Sequence, residues 1–200
     1  MNFEILKLII LSVAGYLIGS LSFSVIITKL VTGRDIRNID FKNAGAYNVF
    51  KNVGKGWGSV VAVLDGLKGL FLICIGFLLK MQAPHIIIAA SFVIIGHCFP
   101  VYNHFYGGRG GAPIIGVLVP FLPLELVVWF VPAIIIGLLI KRLGFFPVFW
   151  LFFVLMTMLI FNWSHLSQDT VHALLYVMLL TGVLNTIIIL SRRDARVVKE

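Results

Sequence analysis

Long apolar runs separated by short polar segments form the pattern along this chain. Several runs approach or exceed the roughly 20 residues that a helix needs to cross a bilayer, and the alternation typical of barrel strands is absent. The runs cover residues 8–30, 58–79, 84–95, 114–140, 145–161 and 170–190. We therefore expect an all-α integral membrane protein that forms a single membrane domain over residues 1–200.

The number of membrane helices depends on the run over residues 114–140, which is too long for one helix without marked tilt. Pro120 and Pro123 interrupt this run, so we divide it there. The pattern then predicts a seven-transmembrane-helix bundle with the N-terminus outside and the C-terminus in the cytoplasm. This orientation places 13 of the 16 basic residues on the cytoplasmic side, which agrees with the positive-inside tendency. These are six residues from Lys29 to Lys55, then Arg109, Lys141, Arg142, Arg192, Arg193, Arg196 and Lys199.

Composition supports a membrane protein and narrows its chemistry. The chain is 60% hydrophobic and only 12% charged, which lies far outside the range of soluble domains. The net charge of +8 fits basic cytoplasmic loops, so we expect no nucleic-acid partner. Cys74 and Cys98 show no metal-type spacing with the histidines, and we expect neither a metal nor another cofactor. The first apolar run is too long for a signal-peptide core and predicts a retained helix.

A glycine-rich loop over residues 97–113 is the first candidate for a polar site. Glycines permit backbone conformations that aim several N–H groups at one point, and the helix predicted behind them adds the positive end of its dipole. Arg109 adds a forked cationic donor that suits phosphate. The glycines around it are Gly107, Gly108, Gly110 and Gly111. The alternative is a flexible hinge between two membrane helices.

Two further groups of polar residues accompany this loop. A polar cytoplasmic loop over residues 32–57 contains basic side chains and the amides Asn43 and Asn48, although it also fits a solvated loop that only fixes topology. Asp65 and Lys68, three residues apart, share a helix face and can neutralise each other, which suggests a polar site facing the bundle. A shallow structural pair is the alternative. His97 follows the apolar run over residues 84–95. A lone histidine at the end of a helix more often has a structural role than a catalytic one.

Six motifs occur here in the order and spacing of a known family. They are Gly19-Ser20-Leu21-Ser22-Phe23, Asp35-Ile36-Arg37-Asn38, Asn43-Ala44-Gly45-Ala46-Tyr47-Asn48-Val49, Leu64-Asp65-Gly66-Leu67-Lys68-Gly69, Gly96-His97-Cys98-Phe99-Pro100-Val101 and Gly107-Gly108-Arg109-Gly110. On these residues the chain resembles the PlsY family, the acyl-phosphate-dependent glycerol-3-phosphate acyltransferases of bacterial membranes.

The resemblance implies a multi-pass protein of the bacterial cytoplasmic membrane, expected as a monomer, with its active site at the cytoplasmic face. It implies acyl transfer from acyl phosphate to the sn-1 hydroxyl of glycerol 3-phosphate, which gives lysophosphatidic acid. Lys51 and Arg109 would hold the substrate phosphates, and Asn43 and Asn48 match family amides with catalytic roles. The other implied phosphate-site residues are Gly107, Gly108, Gly110, Gly111, Lys68, Asp65 and His97.

Departures from the family pattern concern the acceptor side of the site. The family's Gly-Ser-Gly-Asn loop reads Asp40-Phe41-Lys42-Asn43 here, and the usual His-Arg-x-Asn-Ile after the last helix is replaced by a segment that begins Arg192-Arg193. The family's serine near helix six is replaced by the Gly144-Phe145 region. The alternative function is therefore a non-catalytic or repurposed member that binds or acts on another phosphorylated lipid or acceptor.

Overall fold

All regular structure in the described part of the chain is helical. The computed structural model describes residues 3–139, 146–160 and 166–197. Single 3₁₀ turns at Ile36–Asn38 and Val101–Asn103 accompany nine α-helices in these ranges. The helices are α1 (Phe3–Gly19), α2 (Phe23–Thr32), α3 (Ala46–Asn52), α4 (Lys55–Leu78), α5 (Ala83–Cys98), α6 (Gly111–Leu118), α7 (Pro123–Leu139), α8 (Phe146–Ile160) and α9 (Gln168–Val197).

The first apolar run does not form one continuous helix. The prediction of a single helix from Leu8 to Leu30 was wrong, because the chain leaves the helix after Gly19 and begins α2 only at Phe23. The buried ammonium group of Lys68 donates to the backbone carbonyls of Gly19 and Leu21 at this break. A cation from α4 therefore satisfies carbonyl groups at the break that a continuous helix would have used itself.

The polar segment over residues 32–57 is more ordered than the prediction of a loop implied. It contains the short helix α3, and α4 begins within it at Lys55. Gly58 lies so close to α3 that a Cβ added there would be 2.3 Å from the Cα atom of Phe50. Behind this contact lies a small buried apolar cluster of Ile27, Ile36, Val49 and Val61. The segment is therefore packed against the bundle and not only solvated.

Small residues set the closest helix contacts. In the α1–α5 pair, a Cβ added at Gly96 would be 2.2 Å from the carbonyl oxygen of Tyr16. In the α4–α6 pair, a Cβ added at Gly116 would be 1.9 Å from the carbonyl oxygen of Gly66. Glycines at such contacts let helix backbones approach within a membrane, where packing replaces the hydrophobic effect as the driving force. The site described below lies at the polar end of these two helix pairs.

The helices confirm an integral membrane fold but leave the number of crossings as a prediction. Within the described residues, four helical stretches are long and apolar enough to cross a membrane: Phe3–Thr32, Lys55–Leu78, Ala83–Asn103 and Gln168–Ile188. Helix α7 is a shorter apolar helix, and α6 has 8 residues, which is about 12 Å of helix. Lys141, Arg142 and Lys199, used to predict orientation, lie outside the described residues.

Candidate active site

Three polar segments meet at one end of α4 and α5. They are the break between α1 and α2 (residues 20–22), the first loop (residues 33–45), and the segment after α5 (residues 99–110), in which residues 107–110 form the glycine-rich loop. The predicted bounds of 97–113 were too wide, because α5 continues to Cys98 and α6 begins at Gly111. Side-chain and backbone hydrogen bonds join all three segments. Most of the residues predicted from the sequence as site residues lie on these segments or on the two helices beneath them.

A buried ion pair lies beneath the junction. The Lys68 ammonium is 2.7 Å from Oδ1 of Asp65, and the two side chains are only 3% and 1% exposed. Lys68 also lies 4.8 Å from the centre of the Phe23 ring at the start of α2. The predicted pairing of these residues is confirmed. Because the ammonium already contacts a carboxylate and two backbone carbonyls, its contacts favour holding the α1–α2 break over binding a substrate phosphate.

His97 connects this pair to the glycine-rich loop. Its Nδ1 atom approaches Oδ1 of Asp65 to 3.6 Å, and the ring is buried. On the other side of the ring, a Cβ added at Gly108 would be 2.1 Å from Nε2 of His97. The backbone N–H of Gly108 donates to the carbonyl oxygen of His97 at 2.9 Å. Only glycine fits at position 108 without displacing the imidazole ring.

Gly107 lies equally close to the backbone of α5. A Cβ at this position would be 2.1 Å from the carbonyl oxygen of His97 and 2.5 Å from Cδ of Pro100. The carbonyl oxygen of Gly107 accepts a hydrogen bond from the N–H of Ala44 at 3.2 Å. The glycine-rich loop therefore lies directly against α5 and is tied to the first loop.

The hydroxyl groups at the helix break hold the segment after α5. Ser20 Oγ accepts from the N–H of Val101 at 3.3 Å, and Ser22 Oγ accepts from Nδ2 of Asn103 at 2.8 Å. From α1, the Tyr16 hydroxyl donates to the carbonyl oxygen of Phe99 at 2.9 Å. The small polar residues after α1 thus have a specific structural role beyond close helix packing.

A bidentate ion pair braces the first loop against the same segment. Arg37 contacts both carboxylate oxygens of Asp35 and donates through Nη1 to the carbonyl oxygen of Asn103 at 3.0 Å. The hydrogen bond from Arg37 holds the pKa of Asp35 below its ordinary value, so this carboxylate is ionised at neutral pH. The Tyr106 hydroxyl adds a second connection by donating to the carbonyl oxygen of Lys42 at 2.7 Å.

The two predicted amide residues have different environments. The Nδ2 group of Asn48 donates to the carbonyl oxygens of Ile36, Ile39 and Asn43, each at 3.0 Å. Its Oδ1 atom accepts from Asn52, so the buried side chain of Asn48 organises the first loop. Asn43 is also buried, and its Oδ1 atom has no hydrogen-bond partner within the described residues. Of the two, Asn43 has the capacity left to bind a substrate group.

The two predicted phosphate-binding cations lie on different elements. Arg109 is half-buried in the glycine-rich loop, next to Gly110, whose φ of 79° is the left-handed conformation at the N-terminus of α6. Gly111 is the first residue of that helix. Lys51 is on α3, where its ammonium is 2.9 Å from Oδ2 of Asp40 and lies 4.8 Å from the centre of the Phe41 ring. Lys51 is therefore separate from the buried cluster around His97.

The backbone of the first loop is left-handed at the two positions where the family pattern has glycine. Asp40 has φ 42° and Lys42 has φ 48°. Such conformations are uncommon for residues with a Cβ atom and occur more often at functional sites. The loss of glycine has therefore changed the side chains of this loop while its backbone remains in the left-handed region.

The contacts of several site residues could not be predicted from the sequence. Ser20, Ser22, Asn103 and Tyr106 bind segments that are distant in the chain, and only the fold brings their partners together. Asp35 and Arg37 were visible as a motif, but their role as a brace for residue 103 was not. Arg192 and Arg193 lie on α9, and Gly144 and Phe145 lie outside the described residues.

Comparison with known proteins decides the family. The family model described as "Glycerol-3-phosphate acyltransferase" matches residues 9–197. The chain belongs to this family. A curated glycerol-3-phosphate acyltransferase of Mycoplasma capricolum subsp. capricolum is 37% identical over 186 residues, which cover 83% of this chain and 70% of that protein. One of Anaplasma phagocytophilum is 40% identical over 58% of this chain and 62% of its own length.

A further relative and the solved structures agree with this assignment. The chain spans about half of a Mycoplasma mycoides subsp. mycoides protein of the same name, which is 39% identical over 65% of this chain and 54% of its own length. A crystal structure of PlsY (YgiH), described as an integral membrane glycerol 3-phosphate acyltransferase in its glycerol 3-phosphate form, has a TM-score of 0.78. It covers 96% of this chain and 92% of that chain at 24% identity, which supports the fold. The expected family and enzyme class are confirmed.

Replacing Gly107 by alanine tests whether the glycine-rich loop must lie against α5. The new methyl group would clash with the His97 carbonyl, so we expect the loop to move away and kcat/KM for lysophosphatidic acid formation to fall by about 100-fold. Gly56→Ala is the matched control, because a Cβ at Gly56 meets nothing within 4 Å. Equal activity in both variants, each eluting as one species from size exclusion, would contradict the geometry described here.

Proposed function

We propose that the chain transfers a fatty acyl group from acyl phosphate to the sn-1 hydroxyl of glycerol 3-phosphate and releases lysophosphatidic acid and inorganic phosphate. Family membership supplies the enzyme class and the acceptor. The donor is inferred from the glycine-rich loop, which carries the cation Arg109 immediately before the N-terminus of α6. The observation that carries the proposal is the hydrogen bond from Ala44 to Gly107, because it joins the donor loop and the first loop into one surface.

In this proposal each phosphate has its own cation. Arg109 and the N–H groups of the loop around it bind the donor phosphate, since a glycine-rich backbone before a helix is suited to anions. Lys51 binds the acceptor phosphate from α3. Asn43 is placed to orient a substrate hydroxyl, because its buried Oδ1 has no partner within the described residues. Gly110 and Gly111 complete the donor side at the start of α6.

Four further residues position these groups: Asp65, Lys68, His97 and Asn48. Their polar atoms are engaged with backbone carbonyls and with one another. We assign them a positioning role, in which Lys68 holds the α1–α2 break and His97 carries the glycine-rich loop.

The reaction needs little chemistry from the protein. In the proposed step the glycerol oxygen attacks the acyl carbon, the bond from that carbon to the phosphate oxygen breaks, and the hydroxyl proton passes to the leaving phosphate. Acyl phosphate is already activated, so orientation of the two substrates and N–H donors to the developing oxyanion are the main requirements. A buried loop on rigid helices meets both requirements.

We also propose a multi-pass monomer of the bacterial cytoplasmic membrane, with seven crossings, an external N-terminus and the site on the cytoplasmic side. The distribution of basic residues supports this orientation. Light scattering in detergent measures the protein mass and tests the monomer.

The orientation can be measured with single cysteines in a variant that lacks Cys74 and Cys98. Lys55 and Asp169 are both exposed, and the proposal places them on opposite sides. In intact cells, a membrane-impermeant maleimide should label Asp169→Cys at once and Lys55→Cys only after permeabilisation. Labelling in the reverse order would require the inverted topology.

The activity test uses purified protein in detergent with acyl phosphate and glycerol 3-phosphate. We expect lysophosphatidic acid from the wild type and a loss of about 100-fold or more in kcat/KM for Arg109→Ala, because the donor phosphate loses its charged partner. Arg34→Ala, which removes an exposed cation from the start of the first loop, is the control for net charge. Product from the wild type with acyl-coenzyme A but not with acyl phosphate would refute the proposed donor.

The absence of product with either donor would have a different meaning. If glycerol 3-phosphate or acyl phosphate still raised the thermal stability of the protein, the result would support the alternative of a family member that binds without turnover. The comparisons favour the enzyme over this alternative.

A further inference from the structure

A carboxylate already lies beside the cation that we assign to the acceptor phosphate. Oδ2 of Asp40 is 2.9 Å from the Lys51 ammonium, a distance typical of a charge-assisted hydrogen bond. The same oxygen accepts from Nδ2 of Asn52 at 3.3 Å. An acceptor phosphate that uses Lys51 must therefore share this ammonium with Asp40 or displace the carboxylate.

The pair is open to solvent and so is not a rigid structural contact. The side chains of Lys51 and Asp40 are 53% and 36% exposed, in contrast to the buried pair of Asp65 and Lys68. Exposed ion pairs contribute little to stability, because water and salt compete with them. A dianionic ligand can therefore reach Lys51 and open the pair at small cost.

Lys51 does not depend on Asp40 alone for its position. Its ammonium also lies 4.8 Å from the centre of the Phe41 ring, which stacks at a tilt on Tyr47 with ring centres 5.4 Å apart. Lys51 belongs to α3, which packs closely against α4 at Gly58. Removal of the carboxylate should therefore leave the cation in place.

The backbone at Asp40 accommodates the carboxylate without requiring it. Its φ of 42° lies in the left-handed region, which glycine adopts freely and which asparagine and aspartate tolerate better than most residues. Of these three residues, only aspartate places a negative charge beside Lys51.

We infer that Asp40 is a specificity-determining residue of the acceptor site, which weakens the binding of the acceptor phosphate by competing with it for Lys51. This inference rests on the proposed role of Lys51. A phosphate at Lys51 would bring up to two negative charges within a few ångströms of the carboxylate, and like charges so close repel each other. Asp40 thereby sets the KM for glycerol 3-phosphate above the value that Lys51 alone would give.

The decisive variant is Asp40→Asn, which keeps the side-chain shape and suits the left-handed backbone. We expect the KM for glycerol 3-phosphate to fall about two- to fivefold, the range of an exposed ion pair, with kcat unchanged. The inhibition constant of inorganic phosphate against glycerol 3-phosphate should fall by the same factor. Asp169→Asn, which makes the same change in net charge at the exposed start of α9, should alter neither constant.

Two further variants distinguish a folding defect of Asp40→Asn from a wrong assignment of Lys51. Asp40→Gly also removes the charge and relieves the backbone, so it replaces Asp40→Asn if that variant does not fold. Lys51→Met tests the underlying assignment and should raise the KM for glycerol 3-phosphate. If Lys51→Met leaves this KM unchanged, the proposed role of Lys51 is wrong.

A raised or unchanged KM in both Asp40 variants, together with a raised KM in Lys51→Met, would overturn the inference about Asp40 alone. If no variant turns over, calorimetric titration of the purified proteins with glycerol 3-phosphate replaces the KM values. Tighter binding by Asp40→Asn than by the wild type then supports the inference, and equal or weaker binding overturns it.

Discussion

The arrangement of the site depends on one buried ion pair. A lysine and an aspartate inside a membrane helix are expensive to insert, and the cost is tolerable only when each charge finds partners in the bundle. Lys68 finds Asp65 within its own helix and two backbone carbonyls at the end of α1. The pair thus holds the interruption of the membrane helix in one arrangement. A broken helix exposes polar backbone that lipid cannot satisfy, and Lys68 supplies the missing donor.

The polar residues next to this pair take their positions from it. The break presents Ser20 and Ser22 to the segment after α5, and His97 extends from Asp65 to the glycine-rich loop. Glycine has one role in the helix pairs and another in the glycine-rich loop. In the helix pairs it lets backbones touch, whereas at Gly107 and Gly108 it lets a loop lie flat against a carbonyl and an imidazole ring. The result is a substrate-binding surface built on rigid helices rather than on a free loop.

Hydropathy predicted the helical membrane fold and the positions of α4, α5, α7 and α8 to within a few residues, because lipid-facing helices are encoded locally. The spacing of Asp65 and Lys68 along one helix also predicted their pairing, since such spacing determines which side chains meet. The break after Gly19 was missed, because Lys68, which binds the carbonyl groups there, lies far later in the chain. Helix α3 was missed because its stability comes from packing on α4 and from Asn48, not from a long apolar face. The partner of Lys51 could not be predicted either, since Asp40 reaches it only through a left-handed turn.

Asp65 and Lys68 act as one unit that holds the break between α1 and α2. The most direct measurement is a double-mutant cycle of Asp65→Asn and Lys68→Met, followed by equilibrium unfolding in detergent. Loss of one partner leaves a buried charge alone, so each single variant should lose about 3–5 kcal/mol of stability. The double variant should lose clearly less than the sum of the two losses, because no unpaired charge remains. Strictly additive losses would contradict the claim, since they would mean that the two residues stabilise the protein independently.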